Sequence, residues 1–447
     1  MLAFRSPGAS ISSPSDAATW SAWYWPTTTG PALWLEPPDD ATLDRDCVRA
    51  RRIGVTELRL PLYWDSFVTG TGTLRGRRVR DAERVLRAAG RAGLRVALVA
   101  LPIALGRDAV LPRFAIDRRG RGARCLFEQR VERGAPRDPF ADPLLQEAMV
   151  SYLEQLGHAF ANHPSLSVWE VTVGISDLVQ PSDPSEASRL AGLLVATLRR
   201  TGDRVRWTLS SRECLRDQGL RPAEIGALVD ELAVDAAGAS RLLRAGGAAA
   251  RPAPGPPPGG PAFLARLAAG LSGRPVLPVG VTVPVGASEP SRRDADAGDA
   301  DPGERVGLMP EQAALTWARA SWAALAALAR ADAVSCGAGP LLDAGPRCAE
   351  LPYYRADPRR RWTGLLCGDG TPKPWAQVAA AAIGAEGAGT AAMRGEELAT
   401  TPAPPPPLTG LPSPEAFYAA SESALDLAGP WFEAFAAWLD EAAGAPH

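Results

Sequence analysis

The stretch Val168-Trp169-Glu170-Val171-Thr172-Val173-Gly174, at residues 168–174, is a short, mostly apolar run that ends in a glycine. Its length and its β-branched and aromatic residues predict a buried strand over residues 167–173. Helical patterns flank this strand at residues 143–161 and 184–200. A helix, a strand and a second helix in this order are typical of a parallel α/β fold.

The same alternation runs along most of the chain. Further strands are predicted at residues 21–24, 57–62, 95–101, 204–209, 231–234, 275–281 and 333–336, and further helices at residues 43–53, 81–92, 262–271 and 310–330, with a last helix from residue 374. A long arginine-rich loop is predicted over residues 106–138. Eight strand–helix repeats favour a closed barrel over an open sheet. The predicted fold class is therefore α/β, a (β/α)8 TIM barrel over residues 19–383.

The segments outside these repeats differ in composition. Residues 1–18 are expected to be disordered, as are an Ala/Pro/Gly-rich insert at residues 246–261 and a polar, acidic loop at residues 288–304. Residues 384–412 contain a proline run, which predicts a semi-rigid Pro-rich linker. Residues 413–447 predict a short C-terminal helical extension with too many aromatic residues for a solvated tail. We expect it to dock on the barrel or on a second subunit.

Composition and charge exclude several classes of function. The chain has 447 residues, a net charge of −2 and a pI of about 6.1, so no nucleic-acid partner is expected. We expect no signal peptide and no membrane-spanning segment. Six scattered cysteines without a C-x-x-C pair suit reduced thiols and a cytoplasmic location. The only histidines, His158, His163 and His447, form no ligand pattern, and we expect no metal and no cofactor.

Four segments together carry a resemblance to a known family. Residues 364–374, Gly-Leu-Leu-Cys-Gly-Asp-Gly-Thr-Pro-Lys-Pro, predict a tight Asp-Gly turn followed by a helix that begins at proline. Residues 51–67 join a helix that ends at a glycine to a strand and then a tryptophan. With residues 168–174 and 274–280, these segments resemble glycoside hydrolases of family five, the cellulase and mannanase type. The resemblance covers most of residues 20–383 and implies a TIM barrel with its site at the carboxyl ends of the strands.

The positions of the family's two catalytic carboxylates are occupied by glycine. Strand four of the family runs Trp-x-x-x-Asn-Glu and strand seven Pro-Val-x-x-x-Glu, and the resemblance aligns Gly174 and Gly280 with the two glutamates. Glycoside hydrolysis in these retaining enzymes needs one carboxylic acid that protonates the leaving oxygen and a second carboxylate that attacks carbon. Glycine supplies neither group. The sequence therefore predicts a degenerate barrel that has no catalytic residue at the family positions.

Three other carboxylates follow predicted strands and could line the mouth of the barrel. Asp177, Glu213 and Asp235 come after strands four, five and six, and they are the candidate substitutes for the missing acids. A helix cap or a solvated loop residue is the more ordinary role for each of them.

A second set of residues could contact a ligand. Trp25 and Trp64 are candidate sugar platforms, because aromatic faces suit the apolar faces of sugars, and a place in the core fits both equally well. Arg59 and Asp65 complete the candidate ligand-binding set. Glu170 lies deeper on its strand, and we expect it to be the buried partner of Arg59.

Three functions stay open at this point. The first is a catalytically inactive, glycosidase-like barrel that binds carbohydrate or serves as a scaffold. The second is an active glycosidase, acting on O-glycosyl bonds of β-linked glycans, with relocated carboxylates. The third is a protein-interaction module in which residues 413–447 bind a partner or a second copy of the chain.

Overall fold

Eight parallel strands form the central sheet of the computed structural model. They are β1 Trp20–Trp23, β2 Glu57–Pro61, β3 Arg95–Val99, β4 Leu166–Val171, β5 Val205–Ser210, β6 Glu231–Asp235, β7 Val276–Val279 and β8 Cys336–Pro340. Each strand from β1 to β6 pairs with the next in the chain, and β8 pairs with β1. Val281 joins β7 to β8, because its amide donates to the Gly337 carbonyl at 3.0 Å and its carbonyl accepts from the Gly339 amide at 3.1 Å. The sheet thus closes on itself, and the predicted (β/α)8 barrel is confirmed.

A helix follows each strand and covers the outside of the barrel. These helices are α1 Asp40–Arg52, α2 Gly76–Arg91, α3 Pro143–Phe160, α4 Pro184–Arg199, α5 Pro222–Leu228, α6 Gly260–Ser272, α7 Glu311–Asp332 and α8 Pro374–Ala382. Aspartates begin three of them: Asp39, Asp142 and Asp183 accept hydrogen bonds from amides of the first turns of α1, α3 and α4. Such caps satisfy amides that have no partner within the helix, and they explain where these helices begin.

Short helices and turns follow several strands at the carboxyl end of the barrel. The short α-helices are Trp64–Phe67, Ile175–Leu178, Ser211–Leu215 and Pro352–Ala356, and the 3-10 turns are Gly30–Ala32, Arg113–Ala115, Ala236–Gly238, Pro346–Glu350 and Pro358–Trp362. The strand ends and these connections form the barrel mouth. In TIM barrels this is the end at which binding residues are found.

The long connection between β3 and α3 is not the unstructured loop that was predicted. Strands Ala104–Leu105, Asp108–Val110, Cys125–Phe127 and Arg130–Glu132 form a four-stranded sheet there, and Ile116–Asp117 pairs with Ala135–Pro136. Some of its arginines form ion pairs: Arg124 binds both oxygens of the buried Asp108 at 2.7 Å, and Arg113 pairs with Glu132 at 2.9 Å. These pairs help to hold the insertion together.

The structure describes residues 19–171, 174–201, 204–215, 219–238, 259–283, 285, 308–332, 335–383, 408 and 416–418. The predictions for residues 1–18, 288–304 and nearly all of 246–261 and 384–447 lie outside these residues. None of the helices within the described ranges is long and apolar enough to cross a membrane.

Candidate functional site

Gly174 and Gly280 lie at the mouth, just beyond the ends of β4 and β7. Both have left-handed backbones, with φ of +70° and +69°. Residues with a Cβ rarely adopt this conformation, since the left-handed helix region costs them roughly 1–2 kcal/mol. The backbone at both positions therefore suits glycine, independently of what surrounds it.

Aspartates occupy the space into which side chains at these two positions would extend. A Cβ on Gly280 would overlap Oδ1 of Asp235, the last residue of β6, and a Cβ on Gly174 would lie 3.1 Å from Oδ2 of Asp177. A glutamate at position 280 would thus need both a strained backbone and a displaced Asp235. The two carboxylates that approach the glycines come from the adjoining strand in one case and from the same loop in the other.

Glu213 is the most deeply buried of the three candidate acids. Its side chain is only 1% exposed, and its Oε1 accepts hydrogen bonds from the amide and hydroxyl of Ser176 at 3.0 and 2.8 Å. Its Oε2 accepts from the amide of Ser210 at 2.8 Å. Burial, with a smaller contribution from the nearby Asp177 charge, raises the pKa of Glu213 to about 7. The carboxylate therefore ties the ends of β4 and β5 together.

The structure brings all three candidate acids into one group. Asp235 is partly buried, and its Oδ1 accepts from the amide of Ala237 at 2.8 Å. Burial raises the pKa of Asp235, and the charge of Asp177 raises it further, whereas the charge of Arg59 lowers it. Asp177 thus lies close enough to both Glu213 and Asp235 for its charge to raise the pKa of each.

A buried ion-pair network lies beneath these acids inside the barrel. Arg59 donates through Nε to Oε2 of Glu170 at 2.9 Å and through Nη2 to Oε1, and both side chains are fully buried. Thr208 donates to Oε1 of Glu170 at 2.6 Å, and Arg206 pairs with Glu57 at 3.0 Å. The predicted pairing of Glu170 with Arg59 is confirmed. Glu170 therefore neutralises the buried charge of Arg59 inside the barrel and does not reach the mouth.

The aromatic candidates differ in their accessibility. Trp25 is 7% exposed and packs against Trp23, with ring centroids 6.0 Å apart, and edge-on against Tyr353 at 5.6 Å. Trp23 and Tyr353 are both partly exposed, and the Arg59 guanidinium lies 4.1 Å from the Trp23 ring centroid. Trp64 is only 2% exposed. The aromatic surface that a ligand can reach is thus formed by Trp23 and Tyr353, beside the predicted Trp25.

Asp65 connects the β3–α3 insertion to the barrel. Its side chain is buried, its Oδ2 accepts from the amide of Glu128 at 2.6 Å, and its Oδ1 accepts from the Ser66 hydroxyl at 3.1 Å. Burial raises the pKa of Asp65 to about 6. Glu128 has a left-handed backbone, with φ of +47°. The hydrogen bond from its amide holds this strained turn against the mouth.

Sequence reasoning missed three residues of the mouth. Trp23 was placed within the first strand and not at its carboxyl end, and Tyr353 lies on a short helix that no pattern predicted. Asp343 follows β8, because that strand ends at Pro340 and not at residue 336. Its carboxylate binds Lys373 at 2.8 Å and the amide of Gly364 at 2.8 Å. Within the described ranges, no group of three or more His, Cys, Asp or Glu side chains could hold a metal ion.

The closed barrel defines the class of fold: a (β/α)8 barrel of the kind found in family-five glycoside hydrolases. It is similar to a GH5_18 protein from Streptomyces cattleya in complex with GlcNAc, with a TM-score of 0.68 and 20% identity, covering 96% of this chain and 91% of that chain. A variant of that protein, in complex with Manβ1-4GlcNAc, gives a TM-score of 0.66 at 20% identity, with coverage of 96% and 92%.

An exo-β-1,4-mannosidase from Opitutaceae bacterium strain TAV5 is also similar, with a TM-score of 0.63 and 16% identity, covering 82% of this chain and 59% of that chain. No protein-family model and no curated protein matches the sequence. The likeness therefore concerns the fold.

Proposed function

We propose that this protein binds a carbohydrate at the barrel mouth and does not hydrolyse it. The observation that carries the proposal is the backbone conformation of Gly174 and Gly280, together with the aspartate that lies beside each of them. Both are left-handed glycines, and the side-chain space of each is approached by an aspartate. Hydrolysis with retention needs two carboxyl groups about 5 Å apart on either side of the scissile bond. Neither glycine contributes one.

The remaining acids of the mouth have structural partners that account for them. Both oxygens of Glu213 accept hydrogen bonds from the ends of β4 and β5, and the residue is almost inaccessible. Asp235 accepts from the amide two residues further on, as in an Asx turn. These hydrogen bonds give the two carboxylates a structural role, so no catalytic role is needed to account for them.

The accessible aromatic surface supports carbohydrate as the ligand. Trp23 and Tyr353 are partly exposed at the mouth, and an accessible aromatic ring offers an apolar face on which a sugar ring can pack. The structural neighbours were crystallised with GlcNAc and with Manβ1-4GlcNAc. We therefore take Manβ1-4GlcNAc as the first ligand to test.

Calorimetric titration with Manβ1-4GlcNAc tests binding, and prolonged incubation with the same disaccharide, analysed by chromatography, tests hydrolysis. We expect saturable binding and no released mannose above a blank without protein. Trp23→Ala should weaken binding about tenfold, which corresponds to the loss of about 1.4 kcal/mol of contact energy. Release of mannose would refute the proposal. Failure to bind any β-linked disaccharide would refute its carbohydrate part.

A second candidate is a glycosidase that uses relocated carboxylates. It is favoured by one observation: the charge of Asp177 raises the pKa of both Glu213 and Asp235, and the raised pKa of Glu213 would suit a general acid at neutral pH. This candidate predicts turnover of aryl β-mannosides that Glu213→Gln and Asp177→Asn each abolish. Turnover that survives both substitutions would exclude this group of acids.

A cytoplasmic location and a partner for residues 413–447 stay predictions. One contact supports docking of that segment on the barrel: the Tyr418 hydroxyl donates to the Cys214 carbonyl at 3.0 Å. Mass measurement of the full chain in solution would show whether a second copy also binds.

A further inference from the structure

Two aromatic residues far beyond the last barrel helix are buried against the mouth. Phe417 and Tyr418 are 5% and 4% exposed, although α8 ends at Ala382. The Tyr418 hydroxyl donates to the Cys214 carbonyl at 3.0 Å, and the Arg221 guanidinium lies 5.6 Å from the Tyr418 ring centroid. A buried tyrosine whose hydroxyl has a defined acceptor makes a directional contact as well as an apolar one.

This contact falls on the helix that carries Glu213. Cys214 belongs to the five-residue helix Ser211–Leu215, and Glu213 precedes it directly. On the inner side of this helix, the Glu213 carboxylate binds the amides of Ser176 and Ser210. A single helical turn has little stability of its own, because nucleation costs more than one turn of hydrogen bonds returns. Its position therefore depends on the contacts made from outside.

We propose that Tyr418 is a positioning residue: by docking on the helix Ser211–Leu215 through its hydrogen bond to Cys214, it holds the Glu213 carboxylate in place at the barrel mouth. Tyr418 is then part of the mouth's architecture, although it lies far beyond the last barrel helix in the chain. When Tyr418 loses its contact, the helix loosens and the hydrogen bonds of Glu213 to the ends of β4 and β5 open more often.

Hydrogen exchange in the full-length protein tests this proposal without any ligand, so its outcome is separate from that of the carbohydrate proposal. The amides of Ser176 and Ser210 report on Glu213 directly, because both donate to its carboxylate. We expect Tyr418→Ala to accelerate their exchange about tenfold or more through local opening. Tyr418→Phe keeps the ring and removes one neutral hydrogen bond, so about a fivefold acceleration is expected.

Tyr152→Phe is the matched control. The Tyr152 hydroxyl is also buried and also donates to a backbone carbonyl, that of Leu62, at 2.7 Å. This variant should leave the exchange of Ser176 and Ser210 unchanged. The amide of Val96, which donates to Ser165 in the barrel wall at 2.7 Å, serves as the reference for global opening.

The proposal holds when Ser176 and Ser210 exchange faster while Val96 does not. Unchanged exchange at both serines in Tyr418→Ala overturns it. An equal acceleration at all three amides also overturns it, since Tyr418 would then support the barrel as a whole. Should Tyr418→Ala fail to fold, Tyr418→Phe, which retains the buried ring, decides between the same outcomes.

Discussion

Replacing Gly280 by alanine tests whether the packing of the mouth requires a glycine at this position. The substituted Cβ would overlap Oδ1 of Asp235 and force that carboxylate away from the amide of Ala237. The left-handed backbone costs about 1–2 kcal/mol for a residue with a Cβ. Loss of a hydrogen bond to a charged group adds about 1.5–3 kcal/mol. We therefore expect Gly280→Ala to lower the free energy of unfolding by about 2.5–5 kcal/mol.

Gly273 supplies a matched control for the backbone contribution. Its φ of +66° is nearly the same as that of Gly280, but no atom lies within 4 Å of the position that its Cβ would take. Gly273→Ala should therefore cost only the conformational contribution, about 1–2 kcal/mol. The difference between the two substitutions isolates the overlap with Asp235.

The experiment compares four variants by denaturant unfolding: Gly280→Ala, Gly273→Ala, Asp235→Ala and the Gly280→Ala/Asp235→Ala double variant. With Asp235 shortened, the added methyl group meets no carboxylate, and the double variant should be more stable than additivity predicts by about 1.5 kcal/mol or more. A cost for Gly280→Ala no greater than that for Gly273→Ala would refute the reasoning. By the same argument, Gly280→Glu alone should fail to create hydrolytic activity.

Three further predictions concern the network, the pH dependence and the aromatic surface. Glu170→Ala leaves Arg59 buried without its partner and should destabilise the protein by about 3–5 kcal/mol in denaturant unfolding. The pKa of Asp65 is raised in the folded state to about 6, so the stability linked to it is present at low pH and is lost as the pH rises through 6. Asp65→Asn, which keeps an acceptor for Glu128, should remove up to about 3 kcal/mol of this pH dependence between pH 4 and pH 7; an unchanged profile would contradict the assignment. Trp23→Ala should weaken disaccharide binding while the thermal midpoint moves little, whereas Leu193→Ala, on the outer face of α4, should leave binding unchanged in the same titration.

The barrel could be predicted because its strands and helices carry strong local signals. Strands β2 to β7 lie within a few residues of their predicted bounds, since runs of Val, Leu and Ala buried on both faces are typical of parallel sheets. β8 was placed too early, at residues 333–336. Its sequence, Cys-Gly-Ala-Gly-Pro, has no β-branched residue, and it is a strand because β1 and Val281 pair with it. Pairing between distant segments overrides local propensity here.

Two other differences have similar causes. α2 begins at Gly76 rather than at residue 81, and Arg77 and Arg78 in its first turn both pair with Asp81. Charged pairs at helical spacing extend a helix that an apolar pattern alone would begin later. The sequence predicts a loop for the β3–α3 insertion, because the strands there are only two or three residues long. No periodicity can be detected over so few residues.

The mouth was predictable as a list of residues but not as an arrangement. Sequence reasoning named Asp177, Glu213 and Asp235 from their positions after strands, and parallel strands bring such positions together at one end of a barrel. It could not show that Oδ1 of Asp235 lies against Gly280, because that contact depends on the rotamer of one side chain and the left-handed backbone of another. Nor could it show that Tyr418, more than 200 residues further along the chain, meets the carbonyl of Cys214.

The glycines and the acids of the mouth depend on one another: the glycines leave space for the aspartates, and backbone amides stabilise the buried carboxylates. A buried carboxylate is costly unless hydrogen bonds stabilise it, and Glu213 and Asp235 each accept at least one backbone amide. A glutamate at position 280 would introduce a further charge beside Asp235, whose pKa the charges of Glu170 and Asp177 already raise and the charge of Arg59 lowers. Like charges in one site cannot all ionise without a large cost. Because both family positions are glycine, restoring a hydrolytic pair there would require two added glutamates and the displacement of Asp235, which no single substitution achieves.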